Sequence, residues 1–233
     1  MPPQGSAFRT EDLLGELNDL ERKHAPPELF LAGDRSLLRH PRKVCVVGTR
    51  EAGPAALRRA ARLSRILAQH DVVVVSGLAA GIDTAAHRSA MAARGRTIAV
   101  IGTPLDRSYP RENAELQAEI AAHHLVVSQF RSGQRVGRWC FPQRNRTMAL
   151  IACASVIVEA GESSGTLSAG WEALRLQRPL FIMKSIVTGR PDLKWTREMI
   201  DYGAMILEDP QQVLDAASTP RRSDSAPSSP TRR

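Results

Sequence analysis

The sequence predicts a doubly wound α/β domain, in which a mostly parallel sheet is covered by helices on both faces. Short runs that are apolar throughout recur along the chain, beginning with KVCVVGT (43–49), and such runs are typical of strands buried on both faces. Segments with helical periodicity separate the runs, which implies right-handed crossovers between parallel strands. We therefore expect a Rossmann-like sheet whose ligands bind at the carboxyl ends of the strands.

The strands and helices are expected to alternate in order. Strands are predicted at 43–49, 71–77, 96–103, 125–130, 155–161, 179–185 and 204–209, and helices at 54–70, 83–95, 112–124, 144–154, 166–177, 194–202 and 210–218. Asp83 is predicted to cap the second of these helices. In the stretch WCFPQRNRTMAL (139–150), the first eight residues are expected to form a loop and helix start, and the rest a buried helix.

Three segments are predicted from composition. Residues 1–25 form a short helical or flexible segment, with one amphipathic helix from Glu11 to Lys23. Residues 26–218 form the Rossmann-like domain. Residues 219–233, rich in Pro, Ser and Arg, have nothing to bury and are expected to be a disordered basic tail.

Charge and cysteine usage limit the classes of function. The 233 residues carry a net charge of +8, which is compatible with a polyanionic partner but does not by itself indicate one. The cysteines Cys45, Cys140 and Cys153 lack metal-ligand spacing, so we expect buried free thiols in a reducing compartment, with neither metal nor cofactor. Neither a signal peptide nor a membrane span is recognisable, and a soluble cytoplasmic protein is expected.

Candidate binding residues follow the first two strands. In GTREAG, Arg50 and the turn could contact a phosphate, or form a plain tight turn with a solvated arginine. In SGLAAGID, Ser76 and Gly77 permit close approach of a ligand, although turn geometry alone would also explain them. A catalytic role for His87 is not expected, since no partner set surrounds it in sequence.

An arginine-rich segment from Arg131 to Arg146 gives the strongest signal. It holds five arginines and no acidic residue, and it includes Trp139 and Phe141, two of the ten aromatic residues of the chain. Arginines that neutralise phosphates beside aromatics that stack on bases are typical of single-strand binding. A solvated basic loop is the alternative, but the concentration of aromatics favours contact with nucleic acid. Further on, Ser164, Gly165 and Thr166 open a helix and could cradle an anion or simply cap it.

Several ordered blocks of the chain resemble the DprA/Smf family of DNA-processing proteins. They run from PPELFLAGDRSLL through VVGTR, VVSGLAAGIDTAAH, TIAVIGTPLDRSYPRENAEL and FPQRNR to VIVEAGESSGTLSA. The resemblance implies an extended Rossmann fold that binds single-stranded DNA in natural transformation and recombination, helps to load a RecA-type recombinase and acts as a homodimer. It implies no established catalysis.

The resemblance also assigns roles to residues. Arg50 would contact a backbone phosphate and Phe141 a base, while Arg144, Asn145 and Arg146 would shape or line the basic pocket. Ser76, Gly77, Ser164, Gly165 and Thr166 would supply small groups and N–H donors.

The chain also departs from the family pattern. Thr49 replaces a serine, FIMKS lacks the usual Pro-Gly, and we expect neither the complete N-terminal helical domain nor a C-terminal winged-helix domain. The DNA pocket is expected to survive these differences better than recombinase loading.

Two alternatives use the same cleft. One is a nucleotide phosphoribohydrolase of the LOG type, which carries glutamates directly after a Gly-Thr loop; here only Glu159 and Glu172 are near. The other is a nucleotide sensor without turnover.

Overall fold

A nine-stranded sheet forms the centre of the molecule in the computed structural model, which describes residues 6–219. The spatial order of the strands is β1-β2-β6-β5-β4-β3-β7-β8-β9. The strands are β1 (Ala7–Arg9), β2 (Glu28–Gly33), β3 (Lys43–Gly48), β4 (Val73–Ser76), β5 (Thr97–Ile101), β6 (Leu125–Ser128), β7 (Ala154–Glu159), β8 (Leu180–Met183) and β9 (Met205–Leu207).

The sheet is parallel from β6 to β9, and β1 and β2 extend it in antiparallel pairing. The order of the parallel strands reverses between β3, which pairs with β4 on one side, and β7, which pairs with β3 on the other. Such a reversal opens a crevice above the carboxyl ends of the two strands, because the following helices leave toward opposite faces.

Ten α-helices are formed by the described residues. They are α1 (Thr10–Leu14), α2 (Asp19–His24), α3 (Pro54–Gln69), α4 (Ile82–Ala92), α5 (Ala114–His123), α6 (Cys140–Ile151), α7 (Thr166–Arg175), α8 (Lys184–Gly189), α9 (Lys194–Asp201) and α10 (Pro210–Ser218). Short 3-10 helices span Arg35–Arg39 and Arg111–Asn113.

The helices pack as two layers on the sheet. Helices α3, α4 and α10 bury apolar residues such as Ala60, Leu67 and Val213 on one face, and α5 continues that layer. Helices α6, α7 and α9 cover the other face with residues such as Met148 and Met199. The predicted doubly wound architecture is confirmed, and it arises because β3 to β7 are buried on both faces.

The N-terminal elements differ from the prediction. The single helix expected from Glu11 to Lys23 is two short helices, because α1 ends before Gly15 and Asn18 starts α2 with a capping box to Glu21. Strands β1 and β2 were not predicted. The burial of β2 alternates along its length, as expected for an antiparallel strand near the edge of a sheet.

The start of α6 also differs from the prediction. The helix begins at Cys140 rather than at Arg144, so residues 140–143 (CFPQ) are helical rather than part of a loop. Pro142 lies in the first turn, where its missing N–H has no intrahelical partner to lose. The end of the segment differs as well, since Ala154 belongs to β7.

The three cysteines are buried and free, as predicted. The domain limits at 25 and 218 stay predictions. The tail beyond Thr219 lies outside the described residues.

Candidate functional site

A cleft of about 610 Å³ lies above the carboxyl ends of β3 and β7. The loop after β3 supplies Thr49 and Arg50, and the segment after β7 supplies Ser164 to Thr166. Helix α6 closes a further wall. The cleft therefore occupies the crevice where the strand order reverses, which is where open α/β sheets bind their ligands.

Three side chains form what we call the rim of the cleft: Arg50, Tyr109 and Phe141. The guanidinium carbon of Arg50 lies 5.9 Å from the ring centroid of Tyr109 and 5.5 Å from that of Phe141. The two rings are 5.3 Å apart and tilted by 48°. The rim remains open to solvent, since Tyr109 is 47% exposed. An exposed cation beside one exposed and one half-buried aromatic ring can contact a phosphate and a base at once.

The position of Phe141 depends on a glycine at the end of β5. A Cβ atom at Gly102 would lie 2.8 Å from Cδ1 of Phe141, closer than side chains tolerate. Because Gly102 has no side chain, the ring can lie against the turn after the strand. The early start of α6 at Cys140 brings the ring to this place.

Three groups form what we call the floor of the cleft: the charged side chains of Asp83 and Arg144, and the backbone of Gly77. An Arg144 nitrogen, Nη1, lies 3.9 Å from Oδ2 of Asp83, and both side chains are almost completely buried. The same Asp83 oxygen accepts hydrogen bonds from the N–H groups of Gly77 (3.2 Å) and Ala79 (3.3 Å). Asp83 therefore ties the turn after β4 to α6. Its helix is preceded by Gly81, so the prediction that Asp83 is the N-cap is wrong.

The position of Arg144 beside Asp83 requires a glycine at position 77. A Cβ atom there would lie 1.1 Å from Nη1 of Arg144. The glycine thus makes room for a guanidinium group rather than for a ligand.

Burial dominates the electrostatics of the floor. It raises the pKa of Asp83 above its ordinary value, although the charge of Arg144 and the two backbone hydrogen bonds oppose this. Burial likewise lowers the pKa of Arg144, against the opposing charge of Asp83. The Nε atom of Arg144 is buried and has no hydrogen-bond partner among residues 6–219.

The N-terminus of α7 forms the wall opposite the rim. Gly165 precedes the helix without a side-chain cap, and the first turn holds no acidic residue. Asn145 fixes the turn, since its Nδ2 donates to the carbonyl of Gly165 (3.3 Å) and to the hydroxyl of Ser168. The N–H groups at the start of a helix carry partial positive charge and favour an anion.

Seven of the ten predicted binding residues line this one cleft. They are Arg50, Phe141, Arg144, Asn145, Ser164, Gly165 and Thr166. Ser76 and Gly77 instead lie beneath it: the hydroxyl of Ser76 is fully buried and donates to the carbonyl of Val46 (2.7 Å). The prediction that Ser76 and Gly77 supply groups around the ligand is corrected accordingly, because a buried partner already occupies each.

Arg146, which was expected to shape or line the pocket, lies outside the cleft lining. It is two residues after Arg144 on α6, so its side chain leaves the helix in a different direction. Its Nε and Nη2 atoms donate to the carboxylate of Glu172 at 3.1 and 3.2 Å. The pair joins α6 to α7 and helps to position the wall of the cleft.

The arginine-rich segment is likewise divided by the structure. Arg138 lines the cleft, but Arg131 pairs with Glu28 at 3.2 Å. Trp139 lies outside the cleft lining and packs edge-on against Phe130, with ring centroids 6.0 Å apart.

The carboxylates required by the phosphoribohydrolase alternative are occupied elsewhere. Glu159 pairs with Arg59 at 2.6 Å, and Glu172 pairs with Arg146 and Arg175. Neither glutamate lines the cleft. The geometry therefore does not favour this alternative.

Two features of the site lie beyond the ten predicted binding residues. Tyr109 forms part of the rim. The Asp83–Arg144 pair joins residues 61 positions apart, and no local sequence pattern indicates it. Among residues 6–219, no group of three metal-ligating side chains is present, and no helix is long and apolar enough to cross a membrane.

The fold and the cleft define a Rossmann-like protein with an aromatic-rimmed cleft lined by arginines. The family model of DNA recombination-mediator protein A matches residues 11–218, and the chain belongs to this family. The chain is 39% identical over 191 residues to DNA processing protein DprA of Streptococcus pneumoniae, covering 82% of this chain and 66% of that protein.

Solved structures of the family have the same fold. The X-ray structure of DprA from Streptococcus pneumoniae matches with a TM-score of 0.76 and 33% identity, covering 92% of this chain and 75% of that one. A structure of DNA processing protein A from Helicobacter pylori, described with its single-stranded DNA binding mode, matches with a TM-score of 0.76 and 28% identity, covering 92% and 97%. The chain spans 43% to 66% of the length of the first curated relatives that it matches.

Proposed function

We propose that the chain is a DNA-processing protein that binds single-stranded DNA in the cleft. The observation that carries the proposal is the rim, where Arg50 lies within 6 Å of the ring centroids of Tyr109 and Phe141. The family supports it, since one relative is described by its single-stranded DNA binding mode.

The rim, the start of α7 and the floor have different parts in DNA binding. A base stacks on the rings of the rim, while Arg50 neutralises the adjacent phosphate. The N–H groups at the start of α7, next to Ser164 and Thr166, hold a second phosphate oxygen. The buried floor holds α6 and the turn after β4 in register.

The preference for a single strand follows from the rim. Bases in a duplex are stacked on each other and have no free face for Tyr109 or Phe141, whereas a single strand can turn a base into the cleft. Binding through phosphates also releases counterions, so affinity falls as salt rises.

The experiment is a fluorescence anisotropy titration of single-stranded and duplex oligonucleotides across a range of salt concentrations. We expect tighter binding of the single strand, and Arg50→Ala is expected to weaken binding and lower the salt slope by about 0.7, the value for one phosphate contact. Equal affinity for both forms, or none for either, contradicts the proposal. Lys194→Ala, at an exposed cation on α9 outside the cleft lining, serves as the control.

The finer parts of the function rest on the resemblance to the family. We propose that the chain acts in natural transformation and recombination in the cytoplasm, as a homodimer, with a RecA-type recombinase as partner and without catalysis of its own. The exposed Tyr202 and Met205, beside and on the edge strand β9, are a suitable apolar surface for self-association. Release of base from nucleoside monophosphates would contradict the absence of catalysis.

A further inference from the structure

Two helices on one face of the sheet carry opposite charges. Helix α3 has four arginines and no acidic residue over its sixteen positions. In the same layer, α5 turns Glu115 and Glu119 to solvent. Helix α4 lies beside α3 and adds the exposed Arg88. The basic charge of this layer is therefore confined to α3 and α4.

Three of the arginines form a single exposed line, which we call the α3 ridge: Arg58, Arg62 and Arg65. Their spacing of four and three residues places them on one face of the helix. Within residues 6–219 no side-chain hydrogen bond or ion pair involves any of the three, whereas Arg59 pairs with Glu159. The ridge thus has no counter-charge in the part of the chain that the structure describes.

Such a line of like charges weakens the helix that carries it. Cations four positions apart repel each other, and a glutamate at one of these positions would instead stabilise the helix. A bound polyanion would neutralise this repulsion, since phosphates at the helix surface would take the place of the missing counter-charges.

The ridge continues directly from the cleft. Helix α3 begins at Pro54, immediately after the loop in which Thr49, Arg50 and Glu51 line the cleft. From Pro54 to Arg65 the helix rises by about 17 Å, which is the length of roughly five nucleotides at the spacing of one strand of B-DNA. Arg88 runs alongside, because the hydroxyl of the adjacent Ser89 donates to the carbonyl of Ala61 at 2.6 Å.

We propose that the α3 ridge, with Arg88, is an extension of the DNA site that holds the backbone of a single strand as it leaves the cleft. This proposal rests on the proposed function. The ridge adds phosphate contacts but no stacking surface, so it lengthens the bound segment without reading its bases.

The charge of α5 favours a narrow occupant. A flat anionic surface such as a membrane would meet the glutamates of α5 together with the arginines of α3, since both helices belong to one layer. A single strand can follow one helix and avoid the next, and we therefore assign the ridge to DNA.

The test compares a short oligonucleotide of about 6 nucleotides, long enough for the cleft alone, with one of about 20 nucleotides. The variant is Arg62→Gln/Arg65→Gln. Its matched control is Lys194→Gln/Arg197→Gln, which removes two exposed cations with the same spacing from α9 on the opposite face of the sheet. For the long oligonucleotide, we expect the ridge variant to bind about threefold to tenfold more weakly and its salt slope to fall by about 1.4. The short oligonucleotide and the control variant should be unaffected.

Several results would contradict the proposal that the α3 ridge binds DNA. They are unchanged binding of the long oligonucleotide, equal losses for short and long oligonucleotides, an equal loss in the α9 control, or a loss confined to duplex DNA. In the same titration, Arg50→Ala weakening the short oligonucleotide would preserve the proposed function even if the ridge fails. If the unaltered protein binds neither oligonucleotide, both proposals fail together.

Discussion

The rim and the floor of the cleft come from the same sequence blocks, yet they differ completely in their access to solvent. Arg50 and Arg144 both lie within motifs shared with the family. Arg50 is exposed beside two aromatic rings, whereas Arg144 is 5% exposed and lies next to Asp83. A motif residue can therefore serve a binding site either by contacting the ligand or by supporting the residues that contact it. Substitutions in the floor should therefore affect stability first, and substitutions in the rim should affect binding alone.

The largest effect is expected at Gly77. In Gly77→Ala the new methyl group would collide with the guanidinium of Arg144 and separate it from Asp83, leaving a buried charge without its partner. We expect a loss of about 3 kcal/mol in the free energy of unfolding, measured by urea denaturation. Gly161→Ala is the control, because nothing lies within 4 Å of its added Cβ. Equal midpoints for the two variants would show that the floor is not tightly packed.

A smaller effect on stability, which depends on pH, is expected from His87. His87 is fully buried on α4, and burial lowers its pKa from 6.5 to about 3. The unfolded chain therefore binds a proton below about pH 6.5 while the folded protein does not, so this contribution to stability is complete above pH 6.5 and declines as the pH falls toward 3. As the pH falls from about 7 to about 5, protonation of His87 in the unfolded chain should lower the free energy of unfolding by about 2 kcal/mol.

His87→Gln supplies the comparison, since an amide can replace the contact of Nδ1 with the hydroxyl of Thr97 (2.7 Å) but does not titrate. The pH dependence of unfolding should be shallower in this variant. Parallel curves for the two proteins would contradict a neutral buried imidazole.

The smallest effect is expected at Arg146, which belongs to neither region. Because Arg146 pairs with Glu172 outside the cleft lining, Arg146→Gln should leave the salt slope of DNA binding unchanged. A stability loss of at most about 1 kcal/mol is expected for this partly exposed pair. A decrease in slope equal to that of Arg50→Ala would instead place Arg146 on the DNA.

Sequence reasoning located the sheet and most of the cleft, because continuous apolar runs determine buried strands and their carboxyl ends determine the ligand edge. It could not distinguish the role of Arg144 from that of Arg146, which lies two residues further on in the same motif. Their difference depends on the rotation of α6 and on partners in α4 and α7 that are distant in sequence. Tyr109 was not among the predicted binding residues for a similar reason, since its exposure depends on how the loop after β5 lies against α6.

The central claim is that a base of a single strand stacks on the rim. Ultraviolet crosslinking of a single-stranded oligonucleotide containing bromodeoxyuridine, followed by mass spectrometry of the digested protein, tests this claim directly. We predict crosslinked peptides containing Tyr109 or Phe141, and loss of the Phe141 crosslink in Phe141→Leu. Crosslinks found only at aromatic residues remote from the cleft, such as Trp171 and Tyr202 in their edge-on pair, would contradict it.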